Sequence, residues 1–409
     1  MESNPPSSLP ATSLIPPSPP VATTVPVCAK YLDNPHNVAH FTVDPPPLST
    51  GDLSSLLPSL QALLAEVVCG EEISAPPTAV TGGLSNELLL VPCRSGRKFL
   101  IRIQPECDDA EHAIAAHISS VGIGPTYFGR FANGRVEEFY DGTTTLVPAD
   151  LCGRRYRRRV AEAMGGFHVL LFPAAAMGPP GTGERIWDRV EAWIGRAATG
   201  GDVLSAVRAA WTDVQSRLRE PPDLPPGPVA DAVAFSRGVV PCHMDVQSLN
   251  ILRPVDDDGE GGPIHLIDFE YAGYNRRAVD LANTFCECCD MNNLRPDYAR
   301  EYPETAARTR FLSDYLAVAD PDRRWQPSRN GGPLHDGEDD PAYGDAFLCA
   351  LTEDVERHTL VSHVAWAAWA LCKCGDDKNG VEDFDYVKYA RIRMEGYEWA
   401  SGRLRAGRN

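Results

Sequence analysis

Polar residues that could take part in a chemical reaction lie within the otherwise apolar stretch "CHMDVQSLNIL" (242–252). Asp245 and Asn250 bracket a short turn there, and Asp268 follows a second apolar run in "IHLIDFEY". Phosphoryl transfer requires a carboxylate that accepts a hydroxyl proton, and oxygen ligands that hold Mg²⁺ against nucleotide phosphates. Asp245 is therefore a candidate base, and Asn250 and Asp268 are candidate metal ligands. Asp and Asn also favour ordinary turns, so the spacing alone leaves both interpretations open.

The elements that must position these residues fall into two regions. Residues 51–145 alternate short apolar runs with turn signals, which is typical of a sheet, and Asn133-Gly134 predicts a hairpin. From about residue 150 helical patterns dominate, except for two apolar runs separated by the acidic turn "VDDDGEGG". No G-K-[ST] sequence occurs, which excludes a P-loop. We therefore predict an α+β, two-lobed kinase-like fold, with a sheet-rich N-lobe over 51–145 and a helical C-lobe over 146–409.

Composition narrows the class of protein further. Residues 1–50 are rich in Pro, Ser and Thr and are predicted to form a disordered extension, and 326–341 is predicted to be a flexible insertion. The net charge of −18 argues against a general nucleic-acid partner. No run approaches the ~18 apolar residues of a membrane span, and the first residues do not resemble a targeting signal. We expect a reduced, cytoplasmic protein, in which the cysteine clusters "CECC" and "CKC" serve helix packing.

Two stretches carry a resemblance to a known family. "CHMDVQSLNIL" and "IHLIDFEYAGYNRRAVDLANTFCE" resemble the choline/ethanolamine kinase signature, HNDxxxxNIL followed by IDFEYxxYNxxxxDxxNHFxE. Further similarity lies in "GGLSN", "GRVEEF" and "SHVAWAAWAL", in family order over roughly 53–400. The resemblance implies a protein-kinase-like (aminoglycoside-phosphotransferase-like) fold. It also implies ATP- and Mg²⁺-dependent phosphorylation of choline or ethanolamine, the first step of CDP-alcohol phospholipid synthesis.

The resemblance also implies roles for individual residues around ATP. Asp245 is similar to the family's base, Asn250 and Asp268 to its Mg²⁺ ligands, and Asp280 to a residue that buttresses the loop. Five residues of "TGGLSN" would fold over the phosphates, although the same letters suit an ordinary hairpin: Gly82, Gly83, Leu84, Ser85 and Asn86. The remaining nucleotide-site predictions are Gln247 beside the phosphates, Arg102 as a phosphate-pairing cation with Glu111 as its partner, and Glu138 and Phe139 as the hinge.

The amine substrate requires different chemistry, because an ammonium group is best held by aromatic faces and a carboxylate. Trp366 and Trp369 lie three residues apart and share one helix face, a pattern that more often belongs to a core. By the resemblance they form the amine pocket with Tyr389 and the carboxylate of Glu287. The small-molecule partners expected are thus ATP and choline or ethanolamine, and a homodimer is compatible with the family.

Departures from the family pattern leave the substrate and the activity open. Met244 replaces the Asn of HND, and Thr284 replaces the His of NHF. After Glu287, "CCDMNN" replaces a segment that supplies an aromatic residue in typical choline kinases, and this loss favours an amine smaller than choline. In contrast, "VQSLNIL" and "GRVEEF" are more similar to the choline-type members and favour choline. Choline is weakly preferred. The alternatives are a kinase for another small amino alcohol, and a catalytically impaired relative that acts as a binding or scaffold protein.

Overall fold

The computed structural model describes most of the chain. The described residues are 37–38, 40–44, 53–68, 70–80, 87–104, 109–178, 184–197, 201–257, 259, 261–291, 294–320, 341–374 and 384–406. The turn 81–86, and with it the predicted phosphate-binding residues Gly82, Gly83, Leu84, Ser85 and Asn86, lies outside them. So does nearly all of the predicted insertion at 326–341.

Five strands form the antiparallel sheet of the first lobe, in the order β1-β2-β3-β5-β4. They are β1 (Thr78–Ala79), β2 (Glu87–Pro92), β3 (Lys98–Ile103), β4 (Tyr127–Phe131) and β5 (Gly134–Glu138). In β3, Phe99, Ile101 and Ile103 point to one buried face, as the period of two requires. The predicted β4–β5 hairpin is present, but its two turn residues are Ala132 and Asn133, and Gly134 already pairs with Phe131.

Helix α1 (Leu57–Val67) contributes Leu60, Leu63 and Leu64 to the core of this sheet. Pro58 lies in the first turn of α1, where its missing N–H costs no hydrogen bond, so the helix begins there instead of breaking. Val38 and Val43 join the same core, although they fall within the stretch predicted to be disordered. Of residues 1–50, only 37–38 and 40–44 are described.

Helix α2 (Asp109–Ser120) lies between β3 and β4 in the chain. Helices build the second lobe around one large apolar core, which α2 also contacts. They are α3 (Arg157–His168), α4 (Ala174–Met177), α5 (Arg185–Arg196), α6 (Gly201–Leu218), α7 (Pro228–Ser236), α8 (Arg277–Cys286), α9 (Tyr298–Glu301), α10 (Thr305–Ala319), α11 (Pro341–Lys373) and α12 (Tyr386–Ala406). Helix α11 packs against α12, α7, α8 and α5. Among the described residues, no helix combines the length and the apolar character needed to cross a membrane.

Strands of two small sheets flank the polar segment 242–252. Strand β7 (Val239–Cys242) pairs with β10 (Gly273–Arg276), and β8 (Ile251–Pro254) lies between β6 (Thr143–Thr145) and β9 (His265–Leu266). Ile251 lies opposite Leu266, which is the pairing expected of the two apolar runs. The loop after β7 and the loop after β9 therefore lie at the same edge, and both face the first lobe.

Candidate active site

A cleft of about 440 Å³ lies between the lobes. The first lobe lines it with Leu100, Arg102 and Glu137, and the second lobe with Asn250 and Asp268. A volume of this size lies within the range of ordinary small-molecule sites. The cleft therefore brings the predicted phosphate-pairing cation and the predicted metal ligands to one place.

The loop after β7 is held by a single buried carboxylate, that of Asp280 in the first turn of α8. It accepts hydrogen bonds from the backbone N–H groups of His243 (2.7 Å) and Met244 (2.8 Å) and lies 3.0 Å from His168 Nε2. Burial alone would raise the pKa of Asp280, but the hydrogen bonds of His168 and His243 hold it below its usual value. These bonds support the buttressing role predicted for Asp280.

The imidazole of His243 shapes the same loop. Its Nδ1 accepts a hydrogen bond from the Asp245 N–H at 3.3 Å, which leaves Nε2 to donate to the Ile267 carbonyl at 3.0 Å. Burial lowers the pKa of His243, in keeping with a neutral ring that has one donor and one acceptor nitrogen. Met244 between them has φ 71°, a left-handed conformation that Asn tolerates far better than Met.

Asp245 is buried at the centre of the loop. Its Oδ2 accepts a hydrogen bond from Asn250 Nδ2 at 2.7 Å and lies 3.3 Å from Gln247 Nε2. Burial, followed by the negative charges of Glu287 and Asp268, raises the pKa of Asp245 well above its usual value. A cation beside Asp268 and another beside Glu287 would offset those two charges. The geometry suits a base that ionises when the site is loaded with cations.

Asn250 and Asp268 offer oxygen atoms that fit a magnesium ion. The Asn250 amide nitrogen is used by Asp245, which leaves the amide oxygen as its ligand atom. Asp268 Oδ1 is buried, accepts no hydrogen bond from the described residues and lies 3.6 Å from Arg102 Nη1. Oxygen donors of this kind are those that Mg²⁺ prefers. Glu270 adds a neighbouring carboxylate, whose pKa burial and Asp268 raise to about 7.

Arg102 reaches the cleft from β3 and is almost completely buried. Its Nε donates to Glu137 at 3.3 Å, in addition to the ion pair with Asp268. Glu111, the partner predicted for Arg102, accepts hydrogen bonds from Gln104 (2.8 Å) and Arg135 (2.9 Å) in the same cluster. A guanidinium fixed in this way presents positive charge to the phosphate side of the cleft.

The predicted hinge residues Glu138 and Phe139 both line the cleft where β5 ends. The Glu138 carboxylate accepts hydrogen bonds from the N–H (3.1 Å) and hydroxyl (2.6 Å) of Thr126, so the side chain turns toward β4 and away from a nucleotide base. The Phe139 N–H donates to the Lys98 carbonyl at 3.4 Å, a long bond. That N–H is a candidate contact for an adenine ring.

The predicted amine-binding residues lie together in the second lobe. The ring centroids of Trp366 and Trp369 are 5.4 Å apart, and those of Trp369 and Tyr389 are 6.1 Å apart, both edge to face. The Tyr389 hydroxyl accepts a hydrogen bond from Arg393, which also forms a buried ion pair with Glu287. The three aromatic residues are therefore in direct contact, and Glu287 is linked to them through Arg393.

Four residues that sequence reasoning passed over belong to this region. Tyr271 lies 5.2 Å from Trp366 and accepts a hydrogen bond from Trp369 Nε1, and Phe384 and Tyr386 extend the aromatic cluster. Asn283 accepts a hydrogen bond from Trp366 Nε1 at 2.7 Å. These aromatic side chains lie beside the predicted amine-binding residues, so the region is rich in aromatic groups although "CCDMNN" supplies none. Tyr271 directly follows "DFE", so its position next to the predicted metal ligand Asp268 could have identified it as a site residue from the sequence.

The cysteines of "CECC" and "CKC" are buried except for Cys374, which is partly exposed. Cys286, Cys288, Cys289 and Cys372 are buried, and burial raises the pKa of Cys286 to about 12. Among the described residues, the grouping of His, Cys and carboxylate atoms tight enough for an ion is instead His168, Cys242 and Asp280, and those atoms hydrogen-bond within the fold.

A small antiparallel sheet above a helical lobe, with Asn250, Asp268 and the Arg102 guanidinium lining the intervening cleft, defines a two-lobed phosphotransferase of the protein-kinase-like class. The family model "Choline/ethanolamine kinase" matches residues 78–398, so the chain belongs to the choline/ethanolamine kinase family. The fold class predicted from the sequence is confirmed.

Individual relatives agree with this membership. "Probable choline kinase 2" of Arabidopsis thaliana is 31% identical over 368 residues, which cover 85% of this chain and 92% of the relative. The solved choline kinase of Cryptosporidium parvum has a TM-score of 0.65 at 21% identity, covering 85% of this chain and 96% of that one. An ethanolamine kinase of Plasmodium vivax has a TM-score of 0.60 at 20% identity, covering 85% and 89%. The two solved structures share the fold.

Proposed function

We propose that this protein transfers the γ-phosphoryl group of ATP to the hydroxyl of choline, and less efficiently to that of ethanolamine. The observation that carries the proposal is the position of Asp245, between two oxygen ligands and an aromatic cluster with a carboxylate. Asn250 donates to Asp245 at 2.7 Å, and the charge of Glu287 acts on the same carboxyl group. A hydroxyl held near Asp245 would therefore lie close to both phosphate and ammonium sites.

Each part of the chain has a defined task in this reaction. The Asp245 carboxylate orients the substrate hydroxyl and accepts its proton, while Gln247 Nε2 restrains that carboxylate from one side. Arg102 faces the transferred phosphoryl group. Asn250 and Asp268 would hold Mg²⁺, which supplies charge neutralisation of the phosphate oxygens when it is bound. The aromatic faces and Glu287 hold the ammonium group and so fix the distance of the hydroxyl from the base.

The hydrogen bonds of the aromatic cluster favour choline over ethanolamine. Trp366 Nε1 and Trp369 Nε1 point to Asn283 and Tyr271, so the tryptophans can offer ring faces to the substrate. The Tyr389 hydroxyl already accepts two hydrogen bonds from Arg393. A quaternary ammonium needs aromatic faces and no acceptors, whereas a primary ammonium carries three donors that each need a partner.

Steady-state kcat/KM for choline and for ethanolamine, each with Mg·ATP, tests this proposal. We expect choline to be preferred by at least about tenfold, equivalent to about 1.4 kcal/mol of transition-state binding. A preference for ethanolamine would contradict the substrate assignment while leaving the reaction assigned correctly. Turnover of neither amine would contradict the function itself.

Two rival functions remain distinguishable by the same assay. A kinase for another small amino alcohol would turn over that alcohol and neither choline nor ethanolamine. A catalytically impaired binding protein would bind choline without hydrolysing ATP or transferring its phosphoryl group. Met244 and Thr284, which depart from the family pattern, suggested that alternative. The Met244 N–H still reaches Asp280 at 2.8 Å and the Thr284 hydroxyl bonds to the Asp280 carbonyl at 3.3 Å, which supports an ordered, active loop.

We also keep the cytoplasmic location and the homodimer as proposals. The buried thiols Cys286 and Cys289, whose pKa values burial raises, suit a reducing compartment in which they remain packing groups. Cell fractionation would test the location, and light scattering of the purified chain would test the homodimer by its mass.

A further inference from the structure

Arg393 on α12 is a buried cation that the proposed reaction leaves unexplained. Its side chain is 1% exposed and forms an ion pair with Glu287 Oε1. The Tyr389 hydroxyl accepts two further hydrogen bonds from it, from Nε at 2.9 Å and Nη2 at 2.6 Å. Its third nitrogen, Nη1, is buried without a hydrogen-bond partner among the described residues. Such a residue costs stability, because an unsatisfied buried donor carries a desolvation penalty.

The ion pair is poorly explained by stability alone. A buried pair of this kind can often be replaced by apolar side chains without loss of stability, so its presence points to a task that needs the geometry or the charge. Here both partners of Arg393 are predicted amine-binding residues. The position of Arg393 is itself fixed, because the carbonyl of the preceding residue, Ile392, accepts a hydrogen bond from Tyr298 at 2.7 Å.

Charge balance gives Arg393 a specific role. Asp245 and Glu287 together carry two negative charges when both are ionised, whereas choline brings one positive charge. Arg393 supplies the second positive charge, so that the two buried carboxylates are balanced by two cations when the substrate is bound. One oxygen of Glu287 is bound to Arg393, and no described residue donates a hydrogen bond to the other. That second oxygen is available to the ammonium group.

We propose that Arg393 is a positioning and specificity residue, which clamps Glu287 and Tyr389 together so that one oxygen of the Glu287 carboxylate faces the substrate cation. This inference rests on the proposed function. It predicts that the neutral isostere of choline, 3,3-dimethyl-1-butanol, is rejected, because it leaves the Glu287 carboxylate without its cation. Arg393 does not touch the reacting atoms and acts through Glu287 and Tyr389.

The test measures the choline KM and kcat of an Arg393→Met and an Arg393→Lys variant. Without the guanidinium, Glu287 and Tyr389 lose their shared partner, so Arg393→Met is expected to raise the choline KM by about 30-fold with kcat changed less than about threefold. Arg393→Lys keeps the positive charge beside Glu287 and is expected to recover about fivefold of that loss.

Arg403→Met is the matched control. Arg403 lies on the same helix and pairs with Glu356 in an exposed ion pair, away from Glu287. The control is expected to match wild type in both the choline KM and kcat.

A second variant keeps the proposal testable if Arg393→Met does not fold. Glu287→Gln retains an oxygen for Arg393 but carries no charge, and it is expected to raise the choline KM by about 30-fold. The ATP KM and the Tm report on folding. A folded Arg393→Met with an unchanged choline KM, or a folded Arg393→Lys with the same increase as Arg393→Met, would overturn the proposal, as would an unchanged choline KM in Glu287→Gln.

Choline binding, followed by tryptophan fluorescence, separates this proposal from the function on which it rests. If wild type binds choline but transfers no phosphate, the proposed function fails, and the Kd values of the same variants still decide the role of Arg393. If wild type neither binds nor phosphorylates choline, both proposals are overturned.

Discussion

The carboxyl group of Asp245, the proposed base, is sensitive to the charges around it. Its pKa is raised well above the usual value by burial and by the charges of Glu287 and Asp268. An ammonium group beside Glu287 and a metal ion beside Asp268 would each offset part of that repulsion. Under the proposed function, Asp245 is therefore expected to accept a proton most readily when both cations are bound.

Asp245→Asn is expected to lower kcat by about 10²–10⁴-fold, because the amide keeps the shape of the side chain but cannot accept the proton. Steady-state kinetics with saturating choline and Mg·ATP measure the effect. Asp202→Asn is a matched control, since Asp202 is 87% exposed and pairs only loosely with Arg391 at 3.8 Å. Full activity in Asp245→Asn, with a Tm near that of wild type, would show that another group is the base.

Met244→Asn is expected to raise kcat and also to raise the choline KM. Asn adopts the left-handed conformation at this position (φ 71°) at about 1 kcal/mol lower cost than Met, so the loop becomes better ordered. The Met244 side chain also lines a small cavity with Tyr271 and Trp366, and the aromatic cluster loses that packing. Met244→Ala separates the two effects, because it removes the packing without relieving the backbone. A kcat gain in the Ala variant would refute the strain argument.

At the scale of elements, Asn283 on α8 joins the catalytic loop to the long helix α11. Its Oδ1 accepts hydrogen bonds from Ser362 (2.8 Å) and Trp366 (2.7 Å), and its Nδ2 donates to the Met244 carbonyl at 3.3 Å. One amide therefore couples the wall of the amine pocket to the backbone next to the base. Movement of α11 relative to α8 would disturb binding and catalysis together.

Asn283→Ala is expected to lower stability by about 1–3 kcal/mol for each buried partner left unpaired and to raise the choline KM. Thermal melts and kinetics with choline measure the two effects. Asn283→Asp is the conservative comparison, because it keeps the acceptor for Trp366 and loses only the donor to Met244. If Asp and Ala variants had equal choline KM values, the bond to Trp366 would not position the pocket.

The sequence allowed predictions for features that depend on residues close together in the chain, but not for contacts between residues far apart in the chain. The turn between Asp245 and Asn250 and the return of the chain to Asp268 follow from short motifs and short strands. The Glu287–Arg393 ion pair joins residues that are 106 positions apart. No pattern within either segment predicts that these two side chains are in contact. Likewise, Arg102 was predicted from its strand position, but its bond to Glu137 depends on how β3 and β5 pair.

At the scale of the whole molecule, buried histidines are expected to make the fold sensitive to acid. Burial lowers the pKa of His112 and of His358 to about 4, and it lowers the pKa values of His243 and His363 as well. Between about pH 6.5 and about pH 4 the unfolded chain binds protons that the folded chain does not. Stability is therefore retained above that window and lost as the pH falls through it, by about 1.4 kcal/mol per pH unit for His112 and the same for His358.

Denaturant titrations from about pH 7 to about pH 4 measure this slope. His112→Gln is expected to make it shallower, because one of the four groups no longer takes up a proton on unfolding. His40→Gln is the control, since the His40 side chain is 75% exposed. A slope that His112→Gln leaves unchanged would mean that His112 is protonated equally in the folded and unfolded chains.

The short segment around Val38 has a practical consequence for handling the protein. Strand β4 is an edge of the first-lobe sheet, and the Val38 N–H donates to the Arg130 carbonyl while Phe41 accepts from Ala132. An uncovered strand edge is a template for pairing with a second chain. A shortened version that began at the first helix would keep every residue of the cleft, yet it would bare this edge and invite self-association during purification. Expression designs should therefore retain the chain from at least residue 37 onward.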